Sequence, residues 1–284
     1  LARECLAQSG SKNLCMAGGV ALNCVENERI AELTGNRLFV QPAAGDTGIP
    51  LGLALYGAEK LTGKRVRLNC QENRTFPESF YPYTSDKNNF LNNKISQTID
   101  FDIWNYILSI SVDLNLEKVC DMLSNQKVGA VYYDSIEIGP RALGHRSFIA
   151  DCSDPKMKEV MNSKIKHREP YRPFAPIVLA SEYSKYFSGS SSGIHSYMLG
   201  APKCTKKAKD LAPSIVHVDG TARVQSVTKH NGIVFDILNA YKKYSGKSVL
   251  INTSFNDNNE PIVFSYQDAL LCFLRTNADF LIIE

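Results

Sequence analysis

The sequence lacks the cysteine and histidine spacings of zinc-binding and disulfide-rich proteins. Its eight cysteines are scattered over 284 residues without a CxxC pair, and no Cys/His cluster has zinc-ligand spacing. Most cysteines lie in apolar runs such as NLCMAGG and ALLCFLR, which is typical of buried, reduced thiols. The sequence therefore favours free thiols over disulfides and predicts a cytoplasmic protein.

Strong charge and long apolar runs are also absent. The net charge is +3, with 21% charged and 44% hydrophobic residues, as in ordinary globular proteins. So mild a charge argues against a protein that coats nucleic acid or a membrane. No apolar run approaches the ~20 residues of a membrane span, and no signal peptide is visible. A small anion remains a compatible ligand, because a pocket needs only a few local cations.

Both ends of the sequence look like interrupted elements. The chain opens without Met in LARECLAQSG, which is typical of the last turns of a helix, and it stops at ADFLIIE within a predicted strand. We therefore expect a piece of a longer protein, with enough residues for roughly two domains.

The order of predicted elements indicates an α/β fold. Residues 1–62 alternate predicted strands and helices: a strand at Leu14–Met16, a helix at 20–34, a strand in RLFVQP and a helix in IPLGLALYGAEKL. A Gly-containing loop follows each strand, as at the ligand edge of an α/β sheet. Residues 63–114 are polar and lack periodicity, which predicts a connector. The pattern resumes in residues 115–284, predicted to be a second, mixed α/β domain.

Two segments of that second domain have specific predictions. DPKMKEVMNSKIKHRE has an Asp N-cap, a proline at the first helical position and apolar residues at helical spacing, so it predicts one helix over 154–169. SIVHVDGTARVQSVT, residues 214–228, predicts a bent strand or a hairpin.

Cationic and polar side chains collect at predicted strand ends of the second domain. EIGPRALGHRS carries two arginines on a loop stiffened by two glycines and a proline, and planar guanidinium groups suit phosphate or carboxylate. Taken singly, KIKHRE also fits a solvated helix end, the arginine of HVDGTARVQ a surface strand, and NTSFN a plain turn. Taken together, such cations would repel each other unless an anion neutralised them. We therefore predict a polyanion site from Arg141, Arg146, Lys166, Arg168, Arg172, Arg223, Asn252, Thr253, Ser254 and Asn256.

Two motifs of the first segment also allow two interpretations each. AGGVALN fits either a tight helix entry or a nucleotide loop whose backbone N–H groups lie at a helix N-terminus. Asp46 of GDTG is interpreted as a metal ligand or phosphate-facing carboxylate in preference to a loose cap of the helix at Pro50.

With these motifs assembled, the sequence resembles the carbamoyltransferase family that includes nodulation-factor and antibiotic O-carbamoyltransferases. AGGVALN, PAAGDTG, GPRALG-RS, N-KIK-RE-YRPFAP, HVDGTARVQ and NTSFN---EPIV---DAL occur in the family's order over nearly the whole chain. The resemblance implies the C-terminal part of an actin-like ASKHA domain in residues 1–62. A YrdC-like domain that binds carbamoyl phosphate and ATP would then occupy residues 115–284.

The resemblance implies two half-reactions. Carbamoyl phosphate and ATP, with Mg²⁺, would give carbamoyl-adenylate in the YrdC-like domain; the ASKHA domain, with Fe²⁺ or a similar divalent metal, would pass the carbamoyl group to a hydroxyl of a small-molecule acceptor. By motif, the implied catalytic residues are Lys166, Arg168, Arg141, Arg223 and Ser254. The implied cofactor-binding residues are Asn252, Arg146, Arg172, Gly18, Gly19 and Asn23, and the implied metal ligand is Asp46.

The sequence departs from the family pattern at three places. Asp134 and Ser135 stand where Gly-Arg is usual, His145 stands where Asn is usual, and the five histidines include no i, i+4 pair to complete a metal site. We therefore expect this chain by itself to lack the transfer step. Two other functions stay open: a threonylcarbamoyl-adenylate synthase for tRNA, which the mild charge disfavours, and a non-catalytic nucleotide-binding module.

Overall fold

The structure, a computed structural model, describes the chain except for a long internal segment and a few single residues. The predicted connector falls almost wholly outside the described residues, as do Asp134 and Ser135. Among the helices of the described part, none is both long and apolar enough to cross a membrane. The described ranges are 1–65, 114–133, 136–137, 139–189 and 191–283.

The first described segment is built around a parallel pair of strands joined by a helix. Helix α1 spans Ala2–Ser9, and strand β1 (Leu14–Met16) pairs in parallel with β2 (Leu38–Val40). Helix α2 (Cys24–Leu33) connects the two strands, and α3 (Ile49–Thr62) follows β2. A parallel pair requires such a crossover, so both Gly-containing loops follow strands that point the same way.

The second segment forms a mixed sheet, which confirms the α/β class. Within the described residues six strands are hydrogen-bonded in the order β6-β5-β7-β4-β3-β8. The β3–β4, β4–β7 and β5–β7 pairs are antiparallel, whereas β3–β8 and β5–β6 are parallel. The strands are β3 Gly129–Tyr132, β4 Arg146–Ala150, β5 Ala175–Leu179, β6 Gln225–Val227, β7 Val249–Ser254 and β8 Phe280–Ile283.

Helices cover both faces of this sheet because successive strand residues point to opposite sides. Val131 and Ile149 pack in one apolar cluster, and their neighbours Ala130 and Phe148 pack in the other. The helices of this segment are α4 Leu116–Ser124, α5 Met157–Val160, α6 Tyr183–Tyr186, α7 Lys206–Leu211, α8 Ile233–Ser245 and α9 Tyr266–Arg275. Helices α4 and α8 contribute to the first cluster, and α9 contributes to the second.

The predicted helix over 154–169 is wrong in its length and in its end. Only α5 is α-helical; the backbone then widens into a π-helical turn over Met161–Ile165, in which the Lys166 N–H donates to the Met161 carbonyl at 2.9 Å. His167 follows with φ of +42°, in the left-handed region. The helical periodicity could not reveal this turn, because it depends on long-range contacts made by residues at its end.

The predicted hairpin over 214–228 is also mostly wrong. The segment contains a short 3₁₀ turn at Pro213–Ile215 and a tight turn closed by the His217 N–H and the Thr221 carbonyl at 2.8 Å. Only β6 is a strand, and it pairs in parallel with β5 at the edge of the sheet rather than forming a hairpin with another strand of this segment. Arg223 therefore lies between this turn and the sheet edge.

The two segments pack directly against each other. The side-chain amide of Asn27 in α2 donates to the Leu199 carbonyl at 2.9 Å, and Ile194 and Leu199 join the small apolar core that contains Ala21 and Leu38. These contacts bring the AGGVALN and GDTG loops of the first segment next to the second.

Candidate active site

The loop between β3 and β4 carries Arg141 between two glycines with left-handed backbone. Gly139 has φ of +105° and Gly144 has φ of +112°, and a methyl group added to Gly144 would lie 2.6 Å from Val234 Cγ1. Glycine is required at Gly144 for both reasons. At the other end, a methyl group on Gly139 would lie 3.1 Å from the Pro42 carbonyl oxygen. The loop is thus wedged between α8 and the PAAGDTG segment, with Arg141 at its centre.

Arg223 lies close enough to the guanidinium groups of Arg141 and Arg168 to be repelled by their charges. Burial, together with repulsion from Arg141 and Arg168, lowers the pKa of Arg223 to about 10. The Cys24 thiol at the start of α2 acts in the opposite direction, so this part of the site borders the first segment. The Nε atoms of Arg141 and Arg223 are both buried without a hydrogen-bond partner in the described residues. Such orphaned donors are costly unless a ligand accepts from them.

Lys166 is brought to the end of β7 by the π-helical turn. Its side chain is 3% exposed, and its ammonium donates to the Ser254 carbonyl at 3.0 Å and to the Asn256 carbonyl and Oδ1 at 2.6 and 2.7 Å. Ser254 Oγ lies 3.4 Å away and donates to Asn256 Oδ1 at 2.5 Å. Burial, together with repulsion from the nearby Arg168 charge, lowers the pKa of Lys166 to about 8.

Arg168 is oriented by a residue that the sequence analysis did not single out. Its Nε donates to Asn162 Oδ1 at 2.7 Å, and its guanidinium lies 4.9 Å from the centre of the Phe174 ring. Burial, followed by repulsion from Arg172, lowers the pKa of Arg168. Asn162 and Arg168 belong to one sequence motif, and that was the only signal in the sequence for their contact. The six-residue spacing brings the two side chains together only because the π-helical turn lies between them. Arg172 itself is half exposed and is paired with Glu169 at 2.8 Å.

Four cations therefore lie close together, and we call Arg141, Lys166, Arg168 and Arg223 the cationic cluster. Arg223 is close enough to Arg141 and Arg168 for their charges to lower its pKa. Lys166 is close enough to Arg168 for the same effect. The ion pairs found in the described part of the chain include no member of the cluster. Uncompensated cations in a half-buried site can bind a polyanion.

Two other predicted site residues are held by the protein itself. The Arg146 guanidinium donates to the Tyr133 carbonyl at 2.8 Å and lies 3.5 Å from the centre of the Tyr132 ring. Burial lowers the pKa of Arg146. The Asn252 amide donates to the Ala142 carbonyl at 3.1 Å, and its Oδ1 is buried without a described partner. The structure thus places Arg146 among backbone and ring contacts, and Asn252 directly behind the Arg141 loop.

The predicted site residues of the first segment lie on the AGGVALN and GDTG loops. The Gly18 N–H donates to the Ala44 carbonyl at 2.6 Å with φ of +97°, and neither Gly18 nor Gly19 has a neighbour within 4 Å of the position of an added methyl group. Asn23 caps α2 by accepting from the Glu26 N–H at 3.2 Å. The open space beside the two glycines is compatible with a ligand on this loop.

Asp46 is exposed at the start of a 3₁₀ turn, Asp46–Gly48. Among the described residues no three His, Cys, Asp or Glu side chains are grouped to hold a metal ion. The described residues therefore do not by themselves fit the iron-type centre that the resemblance implies.

Comparisons with known proteins place the chain in a family. The family model described as "Carbamoyltransferase C-terminus" matches residues 120–284, and "Carbamoyltransferase N-terminus" matches residues 3–55. Nodulation protein NolO of Bradyrhizobium diazoefficiens is 35% identical over 280 residues, covering 97% of this chain and 49% of its own length. Nodulation protein NolNO of Sinorhizobium fredii is also 35% identical over 280 residues, covering 97% of this chain and 39% of its own length.

Solved structures give a weaker likeness. Full-length HypF in its phosphate- and nucleotide-bound form has a TM-score of 0.44 and 18% identity, over 61% of this chain and 25% of that one. P. abyssi Sua5 complexed with L-threonine has a TM-score of 0.43 and 10% identity, over 59% and 46% of the two chains. At these scores we base no argument on either. The chain spans at most about half the length of NolO and NolNO. The family model and these sequence relatives show that it belongs to the carbamoyltransferase family.

Proposed function

We propose that this chain carries the adenylate-forming half of an O-carbamoyltransferase. Carbamoyl phosphate and MgATP are its substrates, and carbamoyl-adenylate, phosphate and pyrophosphate are its products. One observation supports this above all: the cationic cluster joins four cations from three separate motifs, and none of the described ion pairs includes them. A site that binds two phosphate-bearing substrates at once needs such an excess of positive charge.

The first step releases carbamate. Carbamoyl phosphate reacts with one water to give carbamate and inorganic phosphate, and the phosphate group is held by guanidinium groups of the cluster. Arg141 and Arg223 are suited to this role, because each has a buried Nε without a described partner. Planar guanidinium groups bind phosphate oxygens in pairs, which fixes the orientation of the substrate.

The second step forms the adenylate. A carbamate oxygen bonds to the α-phosphorus of ATP, the bond from that phosphorus to the β-bridging oxygen breaks, and pyrophosphate leaves with the electron pair. Negative charge builds up on the α-phosphoryl oxygens and on the leaving group, so cations that are already in place lower the barrier. Lys166 is fixed at the end of β7 beside Ser254, and Arg168 is fixed by Asn162.

The transfer step is proposed for the whole protein rather than for this chain. Asp46 and the loop of Gly18, Gly19 and Asn23 are the residues that this chain would contribute to the actin-like site, where a hydroxyl-bearing small molecule would accept the carbamoyl group. We expect the purified chain to form the adenylate but not to carbamoylate an acceptor. A radiolabelled carbamoyl phosphate assay with an added sugar acceptor measures both products.

The decisive experiment is pyrophosphate release from ATP by the purified protein. We expect release that requires carbamoyl phosphate, and no release with threonine and bicarbonate in its place. R223Q should slow release roughly a hundredfold, whereas R275Q serves as the matched control because Arg275 is exposed and pairs with Glu260 at 2.8 Å. Release that depends on threonine and bicarbonate, or ATP binding with no turnover, would contradict the proposal.

A further inference from the structure

One carboxylate oxygen holds the loop that presents Arg141. Glu137 is 7% exposed, and its Oε1 accepts from the backbone N–H groups of Leu143, His145 and Arg146 at 2.7, 2.8 and 3.2 Å. A carboxylate that accepts three backbone N–H groups fixes the path of the chain more strongly than a single cap does. The donors follow Arg141 in sequence, so Glu137 determines where this loop turns back into β4.

The carbonyl groups of the same loop are held from the opposite side. Gln225 Nε2 donates to the Leu143 carbonyl at 2.6 Å, and Asn252 Nδ2 donates both to the Ala142 carbonyl at 3.1 Å and to Gln225 Oε1 at 2.7 Å. Gln225 and Asn252 are fully buried in β6 and β7. The backbone beyond Arg141 is therefore fixed by a carboxylate on its N–H side and by two amides on its carbonyl side.

The hydrogen bonds on both sides of the loop backbone oppose the repulsion between the arginine side chains. Arg141 and Arg223 repel each other without an anion between them, and a free loop would move away to relieve that repulsion. Holding the backbone keeps the guanidinium groups close together, so that the geometry exists before the ligand arrives.

We propose that Glu137 and Gln225 are positioning residues, which hold the Arg141 loop through its backbone in the geometry that binds a phosphate-bearing ligand. Neither residue needs to touch the ligand. The proposal rests on the proposed function only in that the ligand carries phosphate, so binding of inorganic pyrophosphate can test it without turnover.

Three substitutions at Glu137 separate positioning from charge. In E137Q the amide oxygen can still accept the three N–H groups, whereas in E137D the carboxylate keeps its charge but is one methylene too short. We expect E137D and E137A to bind inorganic pyrophosphate roughly tenfold more weakly or worse, and E137Q to stay within a few-fold of wild type. Gln225→Leu should weaken binding in the same direction. E260Q is the matched control, because Glu260 pairs with Arg275 near the surface.

Hydrogen exchange supplies a readout that does not depend on binding. The amides of Leu143, His145 and Arg146 should exchange faster in E137D and E137A, and should remain protected in E137Q and E260Q. If E137A does not fold, the comparison of E137Q with E137D decides. Weak pyrophosphate binding in E137Q together with normal binding in E137D would show that the charge of Glu137 matters and would refute the positioning role. Unchanged hydrogen exchange of the three amides in E137D would refute that role as well.

The two proposals fail in distinguishable ways. A wild-type protein that binds pyrophosphate with the expected Glu137 pattern, but releases none from ATP with carbamoyl phosphate, would refute the proposed function and leave the positioning role standing. Normal pyrophosphate release and binding in E137D would refute the positioning role alone. Absence of pyrophosphate binding in the wild type would refute both.

Discussion

The ammonium of Lys166 lies 2.7 Å from Oδ1 of Asn256, ninety residues away in the sequence. The contact joins the end of the π-helical turn to the loop after β7. Lys166 forms none of the described ion pairs, although the nearby Asp257 charge acts to raise its pKa. Because burial holds the pKa of Lys166 at about 8, this residue loses its charge just above neutrality.

This depressed pKa predicts the pH dependence of ATP binding. Below about pH 8 Lys166 is charged and attracts the phosphates; as the pH rises from 7 to 9 the free protein loses that charge, so the affinity for ATP should fall. K166M should bind ATP more weakly at pH 7 and should show little further change to pH 9. Calorimetric titration at several pH values measures this, with K164M as the control because Lys164 is exposed. An affinity in the wild type that is constant over this range would contradict the prediction.

Repulsion within the cationic cluster predicts a trade-off at Arg223. R223Q removes one of three neighbouring guanidinium charges, so the ligand-free protein should gain about 1 kcal/mol in the free energy of unfolding. The same variant should lose most of the rise in melting temperature that pyrophosphate gives the wild type. Thermal unfolding with and without pyrophosphate tests both parts. R275Q should change neither result.

The close approach at Gly144 predicts a large loss of stability on substitution. G144A places a methyl group 2.6 Å from Val234 Cγ1 at a φ of +112°, and should cost about 2 kcal/mol or more. Gly246 is the comparison: it has φ of +75° with no neighbour within 4 Å, so G246A should cost only about 1 kcal/mol.

A double variant separates steric clash from backbone strain at this position. G144A combined with V234A should cost less than the sum of the two single substitutions, because removing the valine methyl groups relieves the clash. Urea unfolding of the three variants gives the coupling. Strict additivity would mean that only the backbone conformation matters at Gly144.

The contact between Glu28 and His195 predicts how the first segment is held. His195 is 1% exposed, its Nδ1 accepts from the Ser192 N–H at 2.9 Å, and its Nε2 therefore carries the proton donated to Glu28 at 2.8 Å. E28A should leave this buried donor with only Tyr183 nearby, and should destabilise the protein by about 1–3 kcal/mol.

Glu32 supplies the control for that experiment, since it lies exposed on the same helix. E32A should stay close to wild type in melting temperature. Hydrogen exchange should be faster in α2 and in residues 192–199 of E28A, and equal stability of E28A and E32A would mean that the contact contributes nothing.

Local patterns in the sequence were sufficient for several elements. The strands β1 and β2 and the helix α3 lie where the sequence predicts a strand at Leu14–Met16, a strand in RLFVQP and a helix in IPLGLALYGAEKL. The polar residues at and after the end of β7 were likewise visible in the sequence, which predicted Ser254 and Asn256 as site residues. The structure places Lys166 beside both of them.

The family and the α/β class were thus within reach of the sequence alone, because short motifs and periodicity are local properties of the chain. The long-range contacts of Lys166 at the end of the π-helical turn, the parallel pairing of β6 with β5 and the Gln225 contact were not, since each joins groups far apart in sequence. The Glu137 contacts are local, but they depend on a loop conformation that apolar periodicity does not encode. Charge repulsion would separate the arginines in an unfolded chain. Only the packed sheet, with the buried amide donors of Gln225 and Asn252 behind the loop, keeps them close together.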